Sequence, residues 1–204
     1  MARPIDTDSG SKGRRRLSTM FLMLFVLALS ACAPPSEWRE LKVDDAGFSV
    51  LMRGQPYYGR QQLDTPAGKM FVYLYSSDRP ESFFAVGYAD YPLVRVVGAP
   101  PEQIFAGIRD SWTRRIEGRL VARDNSIKLA SKYPGTEFVV EGKLKDAGAF
   151  VHGRLYLVDQ RLYQVIAMGR KGEVPQAVVN RFLNSFRLIQ QTDVGTIQVE
   201  PAGK

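Results

Sequence analysis

His152 is the only histidine of the chain and therefore the first candidate for acid–base chemistry. It stands in Phe150-Val151-His152-Gly153-Arg154, where strand alternation places its side chain on the same face as Phe150 and Arg154. A catalytic histidine needs a nucleophile and an orienting group nearby. Residues 32–204 contain neither a G-x-S-x-G motif nor an S-x-x-K pair to supply that nucleophile. We therefore interpret His152 as a strand or surface residue and predict no catalytic residue.

Carboxylates give no clearer prediction of an active site. Glu137 and Glu141 are four residues apart, about 13 Å along a strand, which is too far for a paired acid and base. A carboxylate pair formed across strands stays open as an alternative. Asp44-Asp45-Ala46-Gly47 predicts a turn. The H-E-x-x-H, C-x-x-C and phosphate-loop patterns are absent from residues 32–204, so we predict no metal and no cofactor.

Basic residues are dense between positions 109 and 132. As a patch they would face anionic lipid or lipopolysaccharide. In the alternative that we favour, Arg114 and Arg115 complement a helix C-terminus and the others lie on a solvated strand face. The residues are Arg109, Arg114, Arg115, Arg119, Arg123, Lys128 and Lys132.

Tyrosines offer a ligand-binding alternative. Several of them on one sheet face would line a pocket for an apolar or sugar ligand. Large side chains are also needed simply to fill the layer between a sheet and a helix, which is the interpretation we favour. We expect Tyr57-Tyr58 to be exposed as a contact surface. The other tyrosines concerned are Tyr73, Tyr75, Tyr88, Tyr91, Tyr156 and Tyr163.

Cys32 is the only cysteine, and it follows a short apolar run. Arginines at positions 14–16 precede ten apolar residues at 20–29, which as a helix would cover about 15 Å, half of a bilayer core. This pattern is typical of a secretory signal. Leu29-Ser30-Ala31-Cys32 resembles the lipobox of bacterial lipoproteins. An ordinary signal peptide with a chance cysteine is the alternative.

The lipobox resemblance implies a diacylglycerol thioether on Cys32, cleavage before it and acylation of the new amino terminus, with palmitate for example. Two or three acyl chains make a durable anchor, whereas one chain binds only marginally. Since Ala33 rather than an aspartate follows the cysteine, the resemblance favours the outer membrane, facing the periplasm, over the inner membrane.

The predicted organisation is a signal peptide at 1–31, a lipidated tether at 32–37, one domain at 38–188 and a C-terminal tail at 189–204. Residues 1–31 hold five basic and two acidic residues, so their removal lowers the net charge from +7 to +4. That balance is no nucleic-acid signature, and we predict no nucleic-acid partner. With Cys32 lipidated the domain has no thiol for a disulfide, so its stability must come from its core.

Two helices are predicted within a mostly β pattern. Residues 101–117 repeat apolar side chains at spacings of three and four, and Gly118 suits a left-handed position after the helix. Residues 175–188 form the second amphipathic helix. Strands are predicted at 48–52, 69–75, 82–89, 119–129, 136–141, 155–158 and 162–168. The nearly all-apolar strand at 69–75 is expected to be covered on both faces. The order of elements predicts an α+β class, with an antiparallel sheet flanked by two amphipathic helices.

Several short motifs resemble the Mog1/PsbP-like group, in particular its secreted and lipoprotein members in bacteria. They are Gly47-Phe48-Ser49-Val50, Tyr133-Pro134-Gly135, Arg161-Leu162-Tyr163-Gln164-Val165 and Phe182-Leu183-Asn184-Ser185-Phe186. The resemblance covers residues 38–188 and implies an α/β/α sandwich. It carries no catalytic motif, and members of the group mostly act as binding or assembly factors. We therefore expect a non-enzymatic, lipid-anchored module with an envelope protein as partner. A carrier of small apolar ligands or lipids is the first alternative, and a hydrolase with an unfamiliar site is the second.

Overall fold

The computed structural model describes residues 37–65, 68–91 and 100–189. The predicted signal peptide, Cys32, nearly all of the tether and the tail from residue 190 lie outside these ranges. Within them most residues are in strands. The strands are β1 (Trp38–Val43), β2 (Phe48–Arg53), β3 (Tyr57–Thr65), β4 (Gly68–Asp78), β5 (Ser82–Asp90), β6 (Arg119–Leu129), β7 (Tyr133–Leu144), β8 (Ala147–Val158), β9 (Arg161–Arg170) and β10 (Arg187–Leu188), and the helices are α1 (Pro101–Arg115) and α2 (Gln176–Ser185).

The strands form two antiparallel sheets. The larger has seven strands in the order β3-β4-β5-β9-β8-β7-β6, and the smaller has three in the order β1-β2-β10. In the large sheet β5 pairs with β9, so the two halves of the chain meet at the centre of the sheet. β3 and β6 are its two edges. The predicted turn at residues 44–47 is confirmed, with Gly47 at a φ of 71° and its N–H bonded to the Asp44 carbonyl at 3.0 Å.

The predicted fold class is wrong. The chain is mostly antiparallel β, with two sheets and only two helices in the described ranges, and it is not an α/β/α sandwich with an antiparallel sheet flanked by helices. The physical reason lies in β2, whose Phe48, Val50 and Met52 are all buried. Because β2 inserts these side chains into the layer next to the large sheet, a second sheet supplies much of the cover that helices were expected to provide.

Strand alternation divides the interior into two cores. Neighbouring residues of β9 contribute to different cores, since Val165 belongs to the one shared with β2 and Ile166 to the one shared with α1. The first core includes Phe48, Phe84, Val86, Val165, Phe182 and Leu183. The second includes Phe105, Ile116, Phe138, Val140, Val151, Leu155 and Ile166.

Both helices are shorter than predicted. α1 ends at Arg115, and the left-handed residue beyond it is Glu117, with a φ of 45°, rather than Gly118 as expected. Gly118 is needed for a different reason, because an added Cβ would lie 2.7 Å from the Glu141 carbonyl oxygen. α2 ends at Ser185, since Phe186 is extended and β10 then pairs with β2.

Ser185 connects the end of α2 to the small sheet. Its hydroxyl donates to the Phe182 carbonyl at 2.6 Å and accepts the N–H of Leu51 in β2 at 2.9 Å. Among the described helices, none has the length and apolarity needed to cross a membrane.

Candidate functional site

Four aromatic side chains, two exposed and two half-buried, share one face of the hairpin β3–β4 with an exposed arginine. The pairing register sets Arg60 opposite Tyr73 and Tyr58 opposite Tyr75, so these side chains and Phe71 are on the same face. We call Tyr58, Arg60, Phe71, Tyr73 and Tyr75 the aromatic–arginine surface. Tyr58 is 49% exposed and Phe71 36%. The expectation that the strand at 69–75 is covered on both faces is therefore wrong.

Arg60 is held by the rings of the neighbouring strand. Its Cζ lies 3.8 Å from the Phe71 ring centroid and 5.5 Å from that of Tyr73. Cation–π attraction of this kind orients the guanidinium over the rings and leaves its N–H groups available. The Tyr58 and Tyr75 centroids are 5.1 Å apart, and Tyr73 stacks on Tyr88 of β5 at 4.7 Å. The aromatic–arginine surface is thus an ordered array of rings.

The hairpin extends beyond its neighbour in the sheet. β4 pairs with β5 only from Val72 onward, whereas its pairing with β3 begins at Gly68. Phe71 and the residues before it therefore have a partner strand on one side only. This explains why Leu63, which pairs with Met70, is exposed.

The inner end of this ring array is fixed by the first core. Phe48 makes edge contacts with Tyr75, Tyr88 and Tyr163 at centroid distances of 6.0 to 6.3 Å. Burial raises the pKa of the Tyr88 hydroxyl to about 12, although the Arg161 guanidinium near its ring acts in the opposite direction. The phenol is therefore neutral at physiological pH. The predicted tyrosine face exists, but Phe48 packs among these tyrosines.

A second polar cluster joins β7, β8 and α2. His152 Nε2 is 2.6 Å from Glu137 Oε1, and Arg154 Nε donates to Glu137 Oε2 at 2.9 Å. Arg154 Nη1 also donates to the Leu183 carbonyl at 3.1 Å. Gln176 Nε2 lies 3.4 Å from His152 Nδ1. We call these four residues, Glu137, His152, Arg154 and Gln176, the Glu137 network.

Glu137 is the charged centre of this network. Burial by itself would raise its pKa, but the hydrogen bond from His152 and the charge and hydrogen bond of Arg154 outweigh burial and hold the pKa below its ordinary value. An ionised carboxylate only accepts hydrogen bonds, so His152 Nε2 carries the proton of that bond. Nδ1 of a neutral ring then accepts from the Gln176 amide.

The Glu137 network orients a histidine without presenting a nucleophile to it. In the described ranges the hydrogen-bond partners of His152 are Glu137 and Gln176, neither of which is a hydroxyl or thiol. A groove of about 260 Å³ opens beside His152, and two of the residues that line it, Lys171 and Glu141, are already bonded to each other at 2.7 Å. The predicted shared face of Phe150, His152 and Arg154 is confirmed by the register of β8 with β7.

The other predicted candidates are separate in space or outside the described ranges. Arg119 and Lys128 are at opposite ends of β6, about 30 Å apart, and Arg115 lies over the Trp112 ring, so these three described basic residues are spread out. Glu137 and Glu141 have different partners. No three potential metal-ligating residues come together in the part of the chain that the structure describes. Cys32 lies outside it.

Sequence reasoning did not find the strand β3 or the role of Arg60. Tyr57 and Tyr58 were expected to be exposed, which their 75% and 49% exposure confirms. The sequence does contain one indication of this strand and surface. Arg60 follows Tyr58 by two residues, the spacing that places both on one face of a strand, and residues 57–65 contain no proline.

Comparison with known families and with curated proteins gives no match for this chain. Among solved structures, the crystal structure of PA94, a protein of unknown function from Pseudomonas aeruginosa, is similar over 69% of this chain and 88% of its own, with 7% sequence identity and a TM-score of 0.37. A likeness at that level supports no conclusion about this chain. The lipobox and Mog1/PsbP-like resemblances stay predictions.

Proposed function

We propose that this protein is a lipid-anchored envelope protein whose domain is a non-enzymatic binding or assembly module. The observation that supports a binding role is the aromatic–arginine surface. Tyrosine, phenylalanine and arginine are enriched at protein interfaces, and tyrosine and arginine are also enriched in their energetic hot spots. Here they occur together and in mutual contact, with Tyr58, Arg60 and Phe71 exposed and Tyr73 and Tyr75 half-buried, on a hairpin that extends past the adjacent strand.

Preorganisation makes this surface suited to binding. Ordering a mobile arginine at an interface costs about 0.5–1.5 kcal/mol. Arg60 is already held at 3.8 Å from the Phe71 ring, so part of that cost is met by folding. Its guanidinium can then bind a carboxylate in a bidentate geometry.

The anchor in this proposal is Cys32. Lipidation there would keep the domain at the membrane surface, in the outer membrane facing the periplasm. The partner would be another envelope protein rather than a nucleic acid. Mass spectrometry of the N-terminal peptide tests the anchor, since the expected product begins at an acylated Cys32 and a product beginning elsewhere contradicts it.

The described interior favours a binding surface over the carrier and hydrolase alternatives. A carrier requires an apolar space between the large sheet and its cover, and Phe48, Phe84 and Phe182 fill the centre of that layer with ring contacts as short as 5.0 Å. A groove of about 760 Å³ opens at the end of the layer beside Tyr163, but charged residues such as Asp90 and Arg161 line part of it. A hydrolase requires a nucleophile next to an oriented base, and the described partners of His152 supply none. Native mass spectrometry that found a co-purifying lipid would favour the carrier instead.

Photocrosslinking in intact cells tests the binding role. A photoreactive amino acid at Tyr58 is expected to capture a specific envelope protein. Leu144 is the control position, because it is similarly exposed at 42% but lies at the end of β7, away from the hairpin. A protein captured equally from both positions, or none captured from Tyr58, would contradict the proposed function.

A further inference from the structure

The two edges of the seven-stranded sheet are built differently. The pairing of β6 with β7 has two irregularities, between Leu120 and Ala122 and between Ala122 and Asn125. Bulges of this kind protect an edge from pairing with another chain. β3 instead pairs with β4 in an unbroken register from Tyr57 to Thr65. Only the β6 edge therefore carries this protective feature.

The free side of β3 presents unpaired backbone groups. In an antiparallel pair the N–H and C=O of alternate residues point away from the partner strand. No described residue pairs with β3 on that side. The strand has no proline, and its charged residues are Arg60 and Asp64. Arg60 leans over Phe71 of β4 and not across the free edge.

Charge indicates what kind of strand would fit beside β3. Arg60 and Lys69 are on the same face of the hairpin, and both are exposed. Asp64, opposite Lys69 in the register, is also on this face, which therefore holds two basic residues and one acidic residue. No described carboxylate forms an ion pair with Arg60, whose guanidinium is held by rings alone. Residues 32–204 together carry a net positive charge. An added strand with carboxylates on this face would neutralise Arg60.

We propose that β3 binds an extended acidic segment of an envelope protein by β-strand addition. The segment's backbone pairs with the free edge of β3, its carboxylates lie on the Arg60 face, and its apolar side chains lie on the opposite face beside Tyr57 and Leu63. This inference rests on the proposed function, because it names the partner chemistry of the same hairpin.

Backbone methylation of a peptide probe tests the pairing. The probe is a capped peptide as long as β3 in which glutamate and valine alternate, added to the lipidated protein in nanodiscs. Two isomers carry N-methyl groups either on every glutamate or on every valine. Strand addition uses the N–H groups of only one set, so one isomer is expected to bind like the parent and the other to lose more than about tenfold in affinity. Equal binding of both isomers, or no binding of the parent, would overturn the proposal.

Side-chain recognition is tested with matched variants. Arg60→Gln is expected to weaken binding of the glutamate peptide by about threefold, as for an exposed ion pair. Lys128→Gln on the other edge strand is the control and should leave affinity unchanged. A peptide with lysine in place of glutamate should bind the unmodified protein more weakly. Tighter binding of the lysine peptide would contradict the proposed charge preference.

Amide exchange shows whether β3 itself is the binding edge. Peptide is expected to slow exchange at alternate residues of β3 and to leave β6 unchanged. Protection of β3 without peptide that grows with protein concentration would mean that a second copy takes the edge, and it would overturn the assignment of an acidic partner. If Tyr58 crosslinks a specific partner but the two methylated isomers bind alike, the proposed function stands and strand addition fails. If the isomers differ but Tyr58 captures nothing in cells, the proposed function fails.

Discussion

Glu137 shows how one carboxylate can hold three elements together. Its two oxygens bind His152 and Arg154 of β8, while Arg154 also binds the Leu183 carbonyl in α2. The Glu137 side chain is 23% exposed and that of His152 10%. Charge-assisted bonds with this degree of burial are worth more than surface pairs. The Glu137 network therefore has a structural role that does not depend on catalysis.

Replacement of this carboxylate should destabilise the domain. We expect Glu137→Gln to lower the free energy of unfolding by about 1–2 kcal/mol, because Arg154 and His152 lose a charged acceptor. Urea unfolding measures this change. Glu141→Gln is a matched control on the same strand, since its bond to Lys171 is more exposed and should cost less than about 0.5 kcal/mol. Equal losses in both variants would contradict the structural role of the Glu137 network.

The same carboxylate predicts a pH dependence of stability. The pKa of Glu137 is lower in the folded state than its ordinary value of 4.5. The ionised Glu137 carboxylate therefore stabilises the fold fully at a pH above its pKa in the unfolded chain. This stabilisation is lost as the pH falls through the lower pKa that Glu137 has in the folded state. We expect the difference in unfolding free energy between the unmodified protein and Glu137→Gln to shrink as the pH falls below the ordinary carboxyl pKa of 4.5. A difference that is constant or grows on acidification would contradict this sign.

At the scale of elements, the sequence analysis missed β3 because an edge strand can form without the alternation of apolar and polar residues that identifies a half-buried strand. Its sequence from Tyr57 to Leu63 includes a glycine and two glutamines and lacks a buried face to impose apolar alternation. β1 was missed as well. Of the strands inside the large sheet, β5 and β9 were predicted nearly in full, but β8 only at 155–158. The other edge strand, β6, was predicted correctly at both ends, Arg119–Leu129. Cross-strand contacts such as Glu137 with His152 could not be predicted, because they depend on the register of two strands.

Close packing at the end of α1 depends on glycines. The carbonyl oxygen of Ile116 accepts the N–H of Lys143 at 2.6 Å, which brings the chain after α1 against β7. An added Cβ on Gly142 would lie 2.1 Å from the Ile116 oxygen and 2.6 Å from Gly118 Cα. Both contacts are with backbone, so a change of rotamer cannot relieve them.

Gly142→Ala should therefore destabilise the domain by about 1–3 kcal/mol, as overpacking does. Gly107→Ala is the control, because Gly107 is an exposed position of α1 with no atom within 4 Å of an added Cβ. There the loss of unfolded-state entropy should stabilise by about 0.5–1 kcal/mol. Thermal unfolding separates the two effects, and a stabilising Gly142→Ala would mean that the approach of the two segments is less tight than described.

At the scale of the whole molecule, the fold class depends on which strands pair with each other, and no short stretch of the sequence shows that. Apolar residues of β2, such as Phe48, Val50 and Met52, identify a buried strand but do not show which sheet it joins. Pairing with β1 and β10, which are far apart in the chain, makes it the centre of a second sheet. The helix ranges were close, yet the layers they belong to were predicted wrongly, because layer composition is set by such long-range pairing.

The position of Trp38 suggests how a lipid anchor at Cys32 would orient the domain. Trp38 begins β1 and packs on Phe84 of β5 at a centroid distance of 6.0 Å. Phe84 pairs with Ser77 of β4, and Phe71 is six residues further along β4, about 20 Å away. The Phe71 end of the aromatic–arginine surface is therefore remote from the start of β1, whereas its Tyr75 end is close to it. Only five residues separate Cys32 from Trp38.

We expect the end of the domain near Trp38 to lie closer to the membrane than the hairpin β3–β4. Pro80→Cys introduces a thiol at an exposed position at the Trp38 end of the domain, and Gln62→Cys introduces one at an exposed position of β3. With Cys32 blocked by lipid, each variant has a single free thiol. A fluorophore on residue 80 should be quenched more strongly by spin-labelled lipid headgroups than one on residue 62. Replacement of Cys32 with serine in both variants is the control and should abolish the difference, because the tether would no longer hold the domain at the bilayer. Stronger quenching at residue 62 would show that the hairpin contacts lipid, and the binding surface would then have to be assigned to the membrane and not to a protein.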